Sequence, residues 1–213
     1  MLDTEPSYRA AWQKASEQCG YTLSDTDYLN FIGRSTVEAE KLLVEKFGEE
    51  FPLEEFRVVC EQAESEVFSG KPFAKKPGLD EMLAFLESRN IRKAVATSTV
   101  RRRAVPRLEL AGLSERFEFV TTGDEVSRGK PFPDLFLLAA ERFGISPSEC
   151  LVLEDSEPGV TAAGRAGMQV FMVPDLSAPS ETCLRLATAT FDSLSAIVRH
   201  LQQRSDSTGA LTA

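Results

Sequence analysis

The chain has 213 residues, which is enough for one compact domain together with an inserted or appended module. Its composition, with 42% hydrophobic and 27% charged residues, is typical of a globular protein and does not indicate disorder. The 24 basic and 33 acidic residues give a net charge of −9, which disfavours binding to nucleic acid or to an anionic membrane surface.

The first part of the chain is predicted to be helical. Its apolar residues recur at three- and four-residue spacings, and we find no convincing strand there. The predicted helices are Ser7–Cys19, Thr36–Phe47 and Leu53–Phe68. The segment Lys71–Gly78 then breaks this pattern with two prolines and a glycine, which indicates a linker or domain boundary.

After Gly78 the pattern changes to short apolar strands that alternate with amphipathic helices. The predicted strands are Lys93–Thr97, Phe117–Thr121, Cys150–Leu153 and Gln169–Val173. The predicted helices are Leu79–Arg89, Arg101–Leu110, Asp134–Phe143 and Pro158–Ala166. This alternation predicts the α/β class, with a Rossmann-like parallel sheet and helices on both faces. We therefore expect a helical domain at 1–75, an α/β core at 76–203 and a disordered tail at 204–213.

Several polar residues are predicted at the carboxyl ends of these strands, where parallel sheets bind ligands. Thr97 and Ser98 are either turn residues or hydroxyl donors to a phosphate. Glu154 and Asp155 either help to cap the next helix or bind a hard cation such as Mg²⁺. Lys130, next to a proline-rich turn, is either an exposed lysine or a cation directed at phosphate charge.

Three segments resemble the second, third and fourth motifs of the haloacid dehalogenase superfamily, in its β-phosphoglucomutase and phosphatase-like branch. They are Val95–Ser98, Gly129–Asp134 and Leu153–Val160. The helical first part is similar to the cap domain that this branch inserts after its first motif. The resemblance thus covers nearly the whole chain, and three motifs in the correct order are more specific than any one of them.

The resemblance implies a role for each residue. Thr97 would bind the transferring phosphoryl group with Ser98 beside it, Lys130 would neutralise its charge, and Asp155 with Glu154 would hold Mg²⁺. These roles agree with phosphoryl transfer, which depends mainly on positioning and charge neutralisation. Gly33 and Arg34 fall where the branch has a substrate-specificity loop, so Arg34 is either a clamp for substrate or an exposed arginine beside a helix.

The first motif of the family, a strand followed by Asp-x-Asp-Gly, has no counterpart in the sequence. Its first aspartate would be the nucleophile and its second the general acid and base. Asp25-Thr26-Asp27 has the spacing but not the glycine, and it is predicted to start a helix. We expect either a start codon placed too late, a truncated form or a genuine loss. Because the motif's strand would lie between Lys93–Thr97 and Cys150–Leu153, its absence predicts two free sheet edges or a new pairing of those strands.

The predicted function is therefore hydrolysis of a small phosphorylated metabolite through an aspartyl phosphate, with Mg²⁺ as cofactor. A sugar-phosphate mutase and a catalytically inactive phosphate-binding or regulatory protein are the alternatives. The single histidine, His200, cannot form a multi-histidine metal site, and the 4 cysteines are scattered as in a reduced protein. No apolar run approaches the roughly 20 residues of a membrane span. We expect a cytoplasmic monomer or weak dimer.

Overall fold

The structure is a computed structural model that describes residues 1–32, 36–68, 74–175 and 179–208. No helix within these ranges is both long and apolar enough to cross a lipid bilayer. The chain divides into two compact units, one of which is Leu2–Ala74 and the other Met1 together with Lys75–Ala213. Each unit has its own hydrophobic core.

The regular elements described in the Leu2–Ala74 unit are all helices. Its helices are α1 (Glu5–Gln18), α2 (Asp25–Leu29), α3 (Thr36–Phe47) and α4 (Leu53–Phe68). Trp12 of α1 lies among the aromatic residues of the core, with its ring centroid 5.4 Å from that of Phe31 and 5.5 Å from that of Phe56. Such tilted and edge-on contacts suit the charge distribution of aromatic rings. Three of these helices agree with the sequence pattern, whereas α2 is too short for a periodicity to show.

The Asp25-Thr26-Asp27 segment forms the first turn of α2. The hydroxyl of Ser24 accepts a hydrogen bond from the backbone N–H of Asp27 at 3.1 Å. The Asp27 carboxylate in turn accepts from the Ser24 backbone N–H at 3.0 Å, which completes a capping box. The prediction that this segment starts a helix is confirmed, although the capping residue is Ser24.

The second unit alternates strands and helices. Its elements are α5 (Leu79–Ser88), β1 (Val95–Thr97), α6 (Arg101–Leu110), β2 (Val120–Thr122), α7 (Asp134–Phe143), β3 (Leu151–Glu154), α8 (Glu157–Arg165), β4 (Gln169–Met172), α9 (Glu181–Leu186), β5 (Ala189–Thr190) and α10 (Leu194–Thr208). All of the strand pairs among the described residues are parallel. The predicted α/β class is confirmed.

Within the described ranges the strands form two sheets. One contains β1 and β2, with Val95 opposite Val120, and the other has the order β3-β4-β5, with Leu151 opposite Gln169. In the part of the chain that the structure describes, no strand pairs with the remaining side of β1 or of β3. The sequence predicted either two free sheet edges or a new pairing between these strands. The structure has the free edges.

The hydrogen bonds on the paired side of each strand show which residues direct their backbone groups to the free edge. In a parallel ladder, consecutive residues direct their backbone groups to opposite sides of the strand. The Val95 N–H donates to Phe119 in the neighbouring chain segment, so the backbone of Ala96 faces the free edge of β1. The Cys150 carbonyl accepts from Gln169, so the backbone of Leu151 faces the free edge of β3.

Both sheets nevertheless contribute to one hydrophobic core. Ala96 of β1 packs against the cluster that contains Val152 of β3 and Phe136 of α7. The carboxyl ends of β1 and β3 therefore follow residues that belong to the same core. The predicted site residues that follow these two strands are therefore attached to one common core.

The predicted disordered tail is partly wrong. Helix α10 continues to Thr208, so residues 204–208 are helical, and residues 209–213 lie outside the described part. Ile197 and Val198 bury one face of α10 against Met82 and Phe85 of α5. Once packing has formed the helix, each further residue adds one hydrogen bond for one residue ordered, which permits a polar extension.

Candidate active site

The end of β3 positions the two acidic residues singled out by the sequence. Glu154 is the last residue of β3, Asp155 follows it, and Ser156 is the N-cap of α8. The Ser156 hydroxyl accepts from the Gly159 backbone N–H at 3.2 Å, and Pro158 occupies the first turn, where its missing N–H is not needed. The helix-start interpretation of this segment is therefore confirmed for Ser156, which is the capping residue.

Glu154 is held by a buried ion pair. The ammonium of Lys130 donates to Glu154 Oε2 at 2.8 Å, and only 11% of the lysine side chain and 8% of the glutamate side chain are exposed. The other oxygen, Oε1, accepts from the hydroxyl of Ser156 at 2.7 Å and from its backbone N–H at 3.2 Å. Burial acts to raise the pKa of Glu154, but the Lys130 ammonium outweighs it, so the pKa lies below its ordinary value.

Gly159 leaves the space that the Glu154 side chain occupies. A Cβ atom at position 159 would lie 2.1 Å from Glu154 Cδ, a separation that real structures do not tolerate. Glycine is therefore required in the first turn of α8 while Glu154 keeps this position. The sequence analysis did not identify this role, although a glycine near the start of a helix is an unfavourable choice that could have indicated it.

Lys130 lies at the junction of the ion pair and the hydrophobic core. Its ammonium is 4.9 Å from the centre of the Phe136 ring, which is part of the core cluster shared by both sheets. A cation over an aromatic face is stabilised electrostatically. The lysine side chain is therefore largely buried and directed to one carboxylate, in contrast to the exposed lysine that was the alternative.

Asp155 has a different environment from Glu154. The residue is exposed at the surface, yet protein atoms crowd its carboxylate, and this partial desolvation, followed by the charge of neighbouring Glu154, raises its pKa to about 6. The positive charges of the Met1 amino terminus and of Lys130 act in the opposite direction, but they are outweighed, and Lys130 is paired with Glu154. A bound cation would favour its charged form.

The donor chemistry of this pair fits Mg²⁺. Magnesium keeps several water ligands and is commonly bound by one or two carboxylates together with substrate phosphate. Asp155 and Glu154 supply such carboxylates, although across the described ranges no three histidine, cysteine or acidic side chains lie together as a metal-binding group. Asp155 is the better placed ligand because both Glu154 oxygens already accept hydrogen bonds.

Thr97 and Ser98 follow at the end of β1. The Thr97 hydroxyl oxygen accepts from the Thr99 backbone N–H at 3.2 Å, so its own hydrogen is available to donate. Ser98 is exposed. Thr97 directly follows Ala96, which packs against the same cluster as Phe136 beneath Lys130. In the described residues no hydrogen bond joins Thr97 to Lys130, Glu154 or Asp155.

The predicted residues thus fall into three groups. Lys130, Glu154 and Asp155 are brought together, and Thr97 with Ser98 lies at the end of the strand that shares their core. Gly33 and Arg34 lie outside the described residues, so their predicted role in substrate selection stays a prediction.

The fold and this group of residues define the class of α/β enzymes that bind a ligand at the carboxyl ends of parallel strands. Comparison with known proteins identifies the family. The family model for haloacid dehalogenase-like hydrolases matches residues 1–167. The chain belongs to this family, and within it to the β-phosphoglucomutase-like branch of phosphohydrolases.

Individual relatives agree with this assignment. The chain is 34% identical over 169 residues to a phosphorylated carbohydrates phosphatase from Thermotoga maritima, covering 79% of this chain and 78% of the relative. It is 33% identical over 183 residues to (DL)-glycerol-3-phosphatase 2 from Arabidopsis thaliana, covering 82% and 75%. A crystal structure from Thermotoga maritima, provisionally assigned as a β-phosphoglucomutase, has a TM-score of 0.78 and 31% identity, covering 95% of this chain and 94% of the other.

Proposed function

We propose that the protein is a Mg²⁺-dependent phosphohydrolase that acts on a small phosphorylated metabolite through an aspartyl phosphate. The observation that carries this proposal is the buried Lys130–Glu154 pair with Asp155 beside it at the end of β3. A fixed ammonium next to a carboxylate that favours a cation is the arrangement that binding of a phosphate dianion requires.

Different residues of the chain are proposed to bind the phosphoryl group and the metal ion. Lys130, oriented by Glu154, offers positive charge to a phosphoryl oxygen, and Thr97 donates its hydroxyl hydrogen to another. Asp155, with Glu154, holds Mg²⁺, which when bound neutralises phosphate charge. Because these groups are fixed before substrate binds, little reorganisation is needed as charge develops.

The attacking carboxylate is proposed to lie on a further strand between β1 and β3. The edges of β1 and β3 that have no strand partner among the described residues support the proposal, as do the core cluster to which both strands contribute and the lack of an Asp-x-Asp-Gly run in the sequence. In the reaction, a carboxylate oxygen bonds to phosphorus while the bond from phosphorus to the ester oxygen breaks. The leaving alcohol takes a proton from a neighbouring acid, and water then hydrolyses the acyl phosphate.

The substrate is proposed to be the monophosphate of a small sugar or polyol. This proposal rests on the relatives, whose names refer to phosphorylated carbohydrates and glycerol-3-phosphate. The Leu2–Ala74 unit is proposed to act as the cap that selects the substrate, with Arg34 as one of its contacts. We expect the protein to act in the cytoplasm as a monomer or weak dimer.

The test is phosphate release from a panel of sugar phosphates, glycerol 3-phosphate and nucleotides, with Mg²⁺ and with a chelator. It is run on this chain and on a chain extended upstream of Met1, each with the variants Asp155→Asn and, as a control on an exposed carboxylate of α5, Asp80→Asn. We expect Mg²⁺-dependent release from the extended chain, lost in Asp155→Asn and kept in Asp80→Asn.

Two other outcomes would replace the proposal. Interconversion of sugar phosphates in the presence of a bisphosphate, without net release, would indicate a mutase, the activity to which the name of the Thermotoga structure refers. Phosphate binding without turnover by either chain would indicate a catalytically inactive phosphate-binding protein.

A further inference from the structure

The turn that follows β2 contacts the turn that carries Thr97. Residues Gly123–Glu125 form a single 3-10 turn directly after β2. The Gly123 backbone N–H donates to the Thr99 carbonyl at 3.2 Å, while the Thr99 backbone N–H donates to Thr97 Oγ1 at 3.2 Å. The peptide groups of Thr99 thus connect the turn after β2 with the side chain of Thr97.

The two turns approach each other too closely for a side chain at Gly123. A Cβ atom there would lie 2.2 Å from the Ser98 carbonyl oxygen and 2.9 Å from its carbonyl carbon. Since both of these are backbone atoms, they cannot move aside as the end of a flexible side chain could. The position of the turn after β2 therefore constrains the backbone of the turn after β1.

Two acidic residues hold this arrangement in place. Asp124 Oδ1 accepts from the backbone N–H of Arg101, at the start of α6, at 2.9 Å. Glu125 Oε2 accepts from the Arg101 guanidinium at 2.9 Å and from the Thr122 backbone N–H at 2.8 Å. Both acids thus bind Arg101, which begins the helix immediately after the Thr97 turn.

Glu125 is itself fixed from a second side. Its Oε1 accepts from Arg142 of α7 at 2.8 Å, and Arg142 also donates to the buried Thr121 hydroxyl at 3.2 Å. The Arg142 hydrogen bond, opposed by burial, holds the pKa of Glu125 well below its ordinary value. Glu125 is therefore a charged acceptor for groups from β2, α6 and α7 at neutral pH.

We propose that Asp124 and Glu125 are positioning residues that set the orientation of the Thr97 hydroxyl for binding a phosphate oxygen. The two acids adjoin Gly123, whose N–H binds the Thr99 carbonyl, and the Thr99 N–H in turn binds Thr97 Oγ1. They also bind Arg101, which follows Thr99 by two residues. This inference rests on the phosphate-binding role proposed for Thr97. Neither acid contacts the phosphate itself.

A double-mutant cycle on the full chain tests the inference with inorganic phosphate as the probe. Phosphate affinity is measured from amide chemical shifts for Asp124→Asn and Glu125→Gln, each alone and in combination with Thr97→Val. We expect either acid variant to raise the phosphate Kd about three- to tenfold when Thr97 is present, the scale of one or two hydrogen bonds. We expect no further rise in the Thr97→Val background, because the hydroxyl to be oriented is gone.

Glu118→Gln is the matched control, because Glu118 precedes β2 and pairs with Arg92 at 2.8 Å at the other end of the strand. We expect it to bind phosphate as the natural chain does. Thermal unfolding of every variant shows whether it folds. If Glu125→Gln does not fold, the inference is tested with Asp124→Asn alone.

The outcomes separate the inference from the function on which it rests. No phosphate binding by the natural chain, or equal binding by Thr97→Val, would remove the role of Thr97 and the inference with it. Unchanged affinity in the acid variants, where Thr97→Val does weaken binding, would overturn the inference alone. An equal loss of phosphate affinity with Thr97 and with Thr97→Val would also overturn the inference, as would a similar loss in Glu118→Gln. Either result would indicate a general effect on stability.

Discussion

Glu125 after β2 and Asp155 after β3 are acidic residues at equivalent strand ends, yet their surroundings are opposite. Glu125 accepts from two guanidinium groups, and its pKa is held below the ordinary value. Asp155 lies beside Glu154 and has its pKa raised to about 6, mainly by burial. A carboxylate that accepts hydrogen bonds from two guanidinium groups stabilises the fold, whereas an exposed carboxylate whose pKa is raised is suited to bind a cation.

The Lys130–Glu154 pair lies beside Asp155 and is buried. Its removal is therefore expected to have the largest effect on stability. Lys130→Met should lower the free energy of unfolding by about 3–5 kcal/mol, because it leaves a buried carboxylate without its cation. Lys75→Met is the control, since its pair with Asp80 has side chains 32% and 61% exposed and should contribute at most about 1 kcal/mol. Chemical denaturation measures both, and equal effects would contradict a buried pair. Adding Glu154→Gln to Lys130→Met should recover part of the loss.

Gly159→Ala tests the contact that holds Glu154 in position. The new methyl group would overlap Glu154 Cδ, so we expect the free energy of unfolding to fall by about 1–3 kcal/mol. Gly164→Ala in the same helix is the matched control, because its Cβ would meet only Leu186 at 3.9 Å. That change should stabilise the protein by about 0.5–1 kcal/mol through helix propensity. Denaturation curves in which both changes stabilise would show that Glu154 lies elsewhere.

The pH dependence of stability tests the Glu125 side of the comparison and has the smallest expected effect. Because the folded protein lowers the pKa of Glu125, this residue contributes stability above its unfolded pKa of about 4.3 and loses that contribution as the pH falls through the folded value. Glu125→Gln should therefore be less stable than the natural chain at pH 7, and the difference should shrink below about pH 4.

Thermal unfolding between pH 2 and pH 7 measures this difference. Glu109→Gln, on the exposed surface of α6, is the control and should leave the profile unchanged. A difference that stayed constant down to pH 2 would mean that Glu125 acts through packing and not through its charge.

Local sequence pattern predicted most of the regular elements between Thr36 and Met172. Helices α6 and α7 have the predicted bounds, and the strands differ from their predicted bounds by up to three residues. Strand β5 was missed because two residues cannot show a periodicity, and α2 was anticipated only as a helix start. Helices α9 and α10 were not predicted. The tail was judged from composition alone, which cannot show that α10 is already packed on α5.

The candidate site was predictable as a set of residues but not as a set of contacts. Thr97, Lys130 and Asp155 were singled out by position at strand ends and by family resemblance. The sequence alone could not show that Glu154 binds Lys130, 24 residues away, or that Gly159 makes room for it. The sequence did not reveal the positioning role proposed for Asp124 and Glu125. This role depends on hydrogen bonds to Arg101 and Arg142, which come from two different helices.

The amino-acid sequence by itself determined the helical and α/β parts of the chain, the family and the residue types at the strand ends. These features depend on periodicity and short motifs, which are local. Tertiary structure decided that the strands form two sheets with free edges, and which acid receives a cationic partner. It did so because burial and charge pairing depend on residues that are distant in the sequence, and these determine whether a carboxylate stabilises the fold or is left to bind a cation.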